Sequence, residues 1–357
     1  SALTPSIRSV ILSPDSELNL LSFSTLVGSD DRFVGERFLV QYVAAGRDLL
    51  GPKTGGGEGA LYLFANPDFA AGSMDEAPAA ESGVKATDKA LRTGLQSLAL
   101  PRQTSFPQEI AFTHLHAIKV KMSAGLFLGA RASEAELANL KNARILFLGA
   151  PGYGLPIVNT VPEEDGAFSE GRRAPFTGPR IETTEARGKL MPLSGELFYG
   201  HWNADDPTKR GGVVLAGAKA AMKSWDLGHT SNASNDGIVT SDDLGKMGMT
   251  GVELVVMPAW ETSVGADGTG EAVLALRRAL VQAGATSLLL GFRSGGDEVT
   301  AKMFGEFYDR FRSTANPVLA FAEVQQNALS RMRSDHGIEA AARSVGSFLM
   351  NSKATHL

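Results

Sequence analysis

The sequence predicts an α/β fold, with a mainly parallel sheet covered by helices on both faces. Three observations carry this. Short apolar runs recur without polar alternation, as in Arg144–Ala150 (RILFLGA), Val252–Met257 (VELVVM) and Ser287–Phe292 (SLLLGF). That is the pattern of strands buried on both faces. Between them lie stretches with apolar residues at three- to four-residue spacing, such as Val273, Leu276, Leu280 and Ala283, the period of a helix with one buried face. Strand-like and helix-like stretches also alternate, which is how parallel strands are connected.

Each element follows in order. Ser9–Ser13 reads as the first strand and Pro14-Asp15 as its closing turn. Leu18–Leu26 is apolar enough to be a mostly buried segment. Phe38–Ala44 is the second strand, and Gly46-Arg47-Asp48 opens a turn or short helix. The glycines from Gly55 to Gly59 precede a strand, Ala60–Ala65, and no Lys-Ser/Thr follows them, so they do not read as a phosphate cradle. Residues 70–100, rich in Ala, Glu, Asp and Lys, read as a surface insertion leading to a helix, with a solvated charged face. Ala132–Leu140 is a helix with Ser133 at its N-cap and Glu136 completing a capping box. Residues 155–195 lack periodicity and read as a long insertion. Gly195–Gly200 is strand-like and delivers His201-Trp202, and Gly212–Gly217 is a further strand. Asp236–Thr240 forms a turn and short strand, after which Ser241-Asp242-Asp243 caps a helix. Helices are expected over Gly270–Gly284, Glu298–Phe311 and Phe321–Met332, with a closing strand at Val345–Met350. About ten strands exceed what one compact sheet usually holds in a chain of this size. Two lobes are therefore expected, an N-terminal α/β lobe over 1–100 and a larger one over 101–357.

Bulk chemistry narrows the function. With 43% hydrophobic and 20% charged residues the chain can bury a core. Its net charge of −5 gives no basic footprint, so nucleic acid is not the expected partner. No apolar run is long enough to span a bilayer. Cysteine is absent, which removes disulfides, thiolate metal sites and a cysteine nucleophile together; it leaves the compartment open.

The stretch Val252–Gly265 (VELVVMPAWETSVG) is where the chemistry should lie, because open α/β sheets hold their sites at the carboxyl ends of the strands. Trp260 stands there. Together with Leu12–Leu26, Gly46–Leu50, Ala65–Phe69, the block from Ala132 to Pro151, Gly212–Ala218, Asp236–Thr240 and Asp297–Thr300, this stretch resembles the CHAT domain. That is a caspase- and separase-like peptidase family often found after TPR repeats. The resemblance spans nearly the whole chain and implies a caspase/separase-like αβα sandwich with an added N-terminal α/β lobe. In such a family one strand ends in a histidine and its neighbour in a cysteine, a thiolate nucleophile with its base. Here Ala259-Trp260-Glu261-Thr262-Ser263 stands at the cysteine motif and Gly149-Ala150-Pro151-Gly152 at the histidine motif. His201 also follows a strand and gives a competing register for the histidine. Under either register the nucleophile is gone.

The resemblance therefore implies a catalytically inactive pseudopeptidase that binds a protein or peptide partner, the C-terminal part of a TPR-bearing protein. The alternatives are a hydrolase rewired through Ser294 or His201, or a peptide receptor that does not cleave. Groove-lining candidates are Gly152, His201, Glu261, Ser294 and Asp297. No cofactor or metal is expected. His114 and His116 share a strand face without a third ligand. Asp236, Asp242 and Asp243 around Gly237 lack the ligand pattern of a calcium loop and are expected in turn and cap roles.

Overall fold

The structure, a computed structural model, describes residues 7–15, 18–19, 21–50, 59–71, 124–150, 152–154, 211–221, 235–258, 270–291 and 297–353. Its strands are β1 (Ser9–Leu12), β2 (Leu39–Tyr42), β3 (Ala60–Pro67), β4 (Ala124–Gly129), β5 (Ala143–Gly149), β6 (Gly152–Gly154), β7 (Gly211–Val214), β8 (Ile238–Thr240), β9 (Leu254–Met257), β10 (Ser287–Gly291) and β11 (Phe348–Ser352). Its helices are α1 (Val34–Arg37), α2 (Glu134–Ala138), α3 (Ser241–Lys246), α4 (Gly270–Ala283), α5 (Asp297–Thr314), α6 (Pro317–His336) and α7 (Ile338–Ser344).

Eight strands form one sheet in the order β1-β2-β11-β10-β9-β5-β3-β4. From β10 to β4 every neighbouring pair is parallel. β2 runs parallel to β1 and to β11, and the direction reverses at the antiparallel β10–β11 pair. Every residue of β9 and β10 is buried, as their unbroken apolar runs require.

The pleat sends alternate side chains to opposite faces, and each set has its own cover. Leu61, Leu63, Ile145, Phe147, Leu254, Val256 and Leu289 meet Phe304, Phe307, Phe321 and Leu329 of α5 and α6. Phe64, Leu146, Leu148, Val255, Met257, Leu288 and Leu290 meet Val273, Leu276 and Leu280 of α4, with Leu137 of α2, Leu244 of α3 and Val213 and Val239 of β7 and β8. The result is an α/β/α sandwich, as the alternation of elements predicts. β6, β7 and β8 form a separate antiparallel sheet in that order, and Val213 and Val239 join it to the α4 layer.

Several local expectations change. Leu18–Leu26 is not a buried segment: Leu18, Leu21 and Leu26 are 51%, 37% and 40% exposed, while Asn19, Ser22 and Ser24 are buried. Polar bonding decides it. Asn19 Oδ1 accepts from Arg277 Nη1 at 2.7 Å, Ser22 and Ser24 share a 2.8 Å hydroxyl contact, and the Tyr42 hydroxyl accepts from Phe23 N–H. Ser133 does cap α2 by accepting from Glu136 N–H. The cap of α3, however, is Thr240 rather than Ser241, with Asp243 returning a carboxylate to the Thr240 N–H. Ser241 instead donates to the Gly211 carbonyl at 2.9 Å. The strands β4 and β6 and the helices α1 and α7 are not among the elements the sequence pattern predicts.

Candidate functional site

Within the parallel block the chain passes from β3 outward to β4, returns past β3 to β5, and continues away to β9 and β10. The order of connection reverses between β3 and β5, and a crevice forms outside the carboxyl ends of strands at such a point. Ala65 lies opposite Gly149, and Phe147 opposite Val256. Three neighbouring strands therefore deliver their ends to one edge: Asn66 to Asp68 from β3, Gly149 and Ala150 from β5, Pro258 from β9.

Backbone crowds this edge. A Cβ at Gly149 would lie 2.9 Å from the Phe147 ring and 3.2 Å from the Phe64 carbonyl oxygen. One at Gly291 would lie 2.2 Å from the Pro258 carbonyl oxygen, closer than any real Cβ contact. Asn66 takes a left-handed φ of 48°, a conformation asparagine tolerates better than most residues. Asp68 is exposed beside it, and its Oδ1 accepts from Ala70 N–H at 3.0 Å.

Among the predicted site residues, Gly152 opens β6, is buried, and pairs with Val213. The chain thus leaves the main sheet at Ala150 and enters the small sheet two residues later. Asp297 is the first residue of α5. Pro151, His201, Trp260, Glu261 and Ser294 lie outside the described residues, as do Trp202, His114 and His116. The strands that lead to Pro151 and Trp260, β5 and β9, are hydrogen-bonded neighbours.

One enclosed group carries no mark in the sequence. Glu134, at the first turn of α2, is only 9% exposed, and its Oε2 has no partner among the described residues. Burial, then the nearby carboxylates of Asp236 and Asp243, push its carboxyl up to about 8, against hydrogen bonds from the Gly237 and Asp236 N–H groups. Tyr153, the residue after Gly152, is fully buried with its hydroxyl unpartnered among the described residues. Burial, with Asp243, Asp236 and Glu134 behind it, pushes that hydroxyl well above its ordinary range. A glutamate at a helix N-terminus normally faces water and favours its charged form, so nothing in the sequence marks this one as enclosed.

The aspartates of the α3 region serve turns and caps. Asp236 Oδ1 accepts from Ile238 N–H at 2.8 Å, Asp243 completes the capping box of α3 by accepting from Thr240 N–H, and Asp242 pairs with Lys246 at 2.6 Å. Among the described residues, no group of three or more His, Asp or Glu side chains is placed to hold a metal ion, and no helix is long and apolar enough to cross a membrane.

A comparison with curated proteins finds no match. The CHAT domain family matches residues 2–345 of the 357, which takes in every strand of the main sheet except β11, including β3, β5 and β9, whose ends meet at this edge. The α/β sandwich is the architecture a caspase-like family requires. The chain belongs to the CHAT domain family, a group related to caspase-like peptidases.

Proposed function

We propose that this CHAT domain is a pseudopeptidase, catalytically inactive, and that it acts as a protein-interaction or regulatory module on a protein or peptide partner, next to TPR repeats in a longer protein. The observation that carries the reading is the complete absence of cysteine from the chain. The family's nucleophile position reads Trp260 and its histidine position Pro151. Indole offers an N–H donor and nothing that ionises as a nucleophile, and proline has no side-chain base. The adjacency of β5 and β9 supports the assignment of the two positions to one site, since the strands leading to them end side by side.

A serine-reactive fluorophosphonate probe tests the inactive reading against a hydrolase rewired through Ser294 or His201. The expected result is no labelling of the native chain above a heat-denatured control. Labelling that disappears in Ser294→Ala or His201→Ala would overturn the proposal.

A further inference from the structure

The loop that leads into α2 and the turn that leads into β8 are knitted together. Ala216 N–H donates to the Ala132 carbonyl at 2.8 Å, Leu215 N–H to the Gly237 carbonyl at 2.7 Å, and Ala135 N–H to Asn235 Oδ1 at 3.0 Å. Gly237 sits so close that a Cβ there would fall 2.4 Å from the Ala216 carbonyl oxygen, and its φ of +77° is glycine's own. Glu134 is enclosed at this seam with one carboxylate oxygen unpartnered among the described residues. Among the described residues, the titratable groups that face it are Asp236 from the turn, Asp243 from α3 and the Tyr153 hydroxyl from β6, and the Gly237 and Asp236 N–H groups donate to its carboxyl. Arg131 does not neutralise it, because that guanidinium is largely exposed and reaches Glu136 at 3.8 Å instead.

A third carboxylate charge beside two others, with no cation facing it among the described residues, is held only at a cost, and a buried carboxyl avoids that cost by keeping its proton. We infer that Glu134 is a proton-operated latch: protonated, it lets α2 seat on the turn before β8, and on losing its proton it loosens the three-stranded sheet that begins at Gly152. The inference goes beyond the proposed function and does not depend on it, since it needs neither Trp260 nor Pro151. Its sign is fixed. A carboxyl raised from 4.5 to about 8 gives stability that is complete below pH 4.5, is lost as pH rises, and changes no further above the folded value.

The test is amide hydrogen exchange across pH 5–9, corrected for intrinsic rates, on the full chain. Protection of Val213 and Val239 in the small sheet is expected to fall by up to about tenfold per pH unit and to level off near pH 8. Protection of Val255 in β9 should hold steady over the same range. Glu134→Gln, which keeps the shape of the protonated side chain, should make the small-sheet profile flat. Asp236→Asn, which removes one facing carboxylate, should move the levelling point to lower pH. A Glu134→Gln profile that follows the native one, or native protection that does not change with pH, would overturn the latch.

Discussion

Gly291 and Glu36 show how single residues set the limits of this fold. Gly291 lies where β10 passes the Pro258 carbonyl, and any side chain there collides first with that backbone and also with the Phe348 ring. Gly291→Ala should therefore destabilise the chain by about 1–3 kcal/mol, the usual cost of overpacking, in a urea titration monitored by circular dichroism. Glu36 is almost wholly enclosed. It accepts from Phe33 N–H at 2.8 Å and from both Nε and Nη2 of Arg333 at 3.0 Å. Burial pushes its carboxyl up, but those hydrogen bonds outweigh burial and hold it below the usual 4.5. A depressed carboxyl contributes stability above pH 4.5 and loses it as pH falls through the folded value. Glu36→Gln should accordingly lower the melting temperature at pH 7 and flatten its decline below pH 4.5. An unchanged acid limb would show that other carboxylates govern it.

At the scale of elements, the hydrophobic pattern was a good guide wherever burial alone decides. β5, β9 and β10 are apolar runs of the right length between turn residues, and the helix stripe through Val273, Leu276 and Leu280 faces the sheet as its spacing requires. The pattern failed where a polar bond overrides it. Leu18 and Leu21 face solvent because Arg277, fully buried on α4, draws Asn19 inward and presents its guanidinium to the Tyr42 ring. β4 was not anticipated because its run, AGLFLG, is half glycine and alanine, and its partner β3 supplies much of the packing, with Phe64 stacked on Phe127 at 4.6 Å. The α3 cap was misplaced by one residue because Thr, Ser and Asp stand in succession, and any of them can cap. Tertiary bonding from Ser241 to Gly211 decided among them. Of the candidate site, the neighbouring ends of β5 and β9 were legible, while Pro151 and Trp260 lie outside the described residues. Glu134 was not legible, since enclosure by a distant turn leaves no local mark.

At the scale of the whole molecule, the site and its frame separate. The five parallel strands and their switch point between β3 and β5 form the frame a caspase-like peptidase needs. Three strand ends converge with little room for change at Gly149 and Gly291. No thiol exists anywhere in the chain, and the proposal is that the frame persists without the peptidase chemistry. This combination makes a clean reconstruction possible, because one introduced cysteine is the sole thiol and any reaction with it reports on that position alone. The pair Trp260→Cys and Pro151→His would place a nucleophile and a base at the two positions proposed for the family's dyad, and Trp260→Cys by itself supplies the control. A histidine beside the sulfur lowers the thiol's pKa, and a drop of one unit from 8.5 raises the thiolate present at pH 7 about eightfold, while each thiolate becomes about threefold less nucleophilic. The decisive measurement is the rate of iodoacetamide alkylation of the two variants at pH 7. The double variant should react about two- to threefold faster than Trp260→Cys, and equal rates would contradict the proposal that the peptidase frame outlived its chemistry.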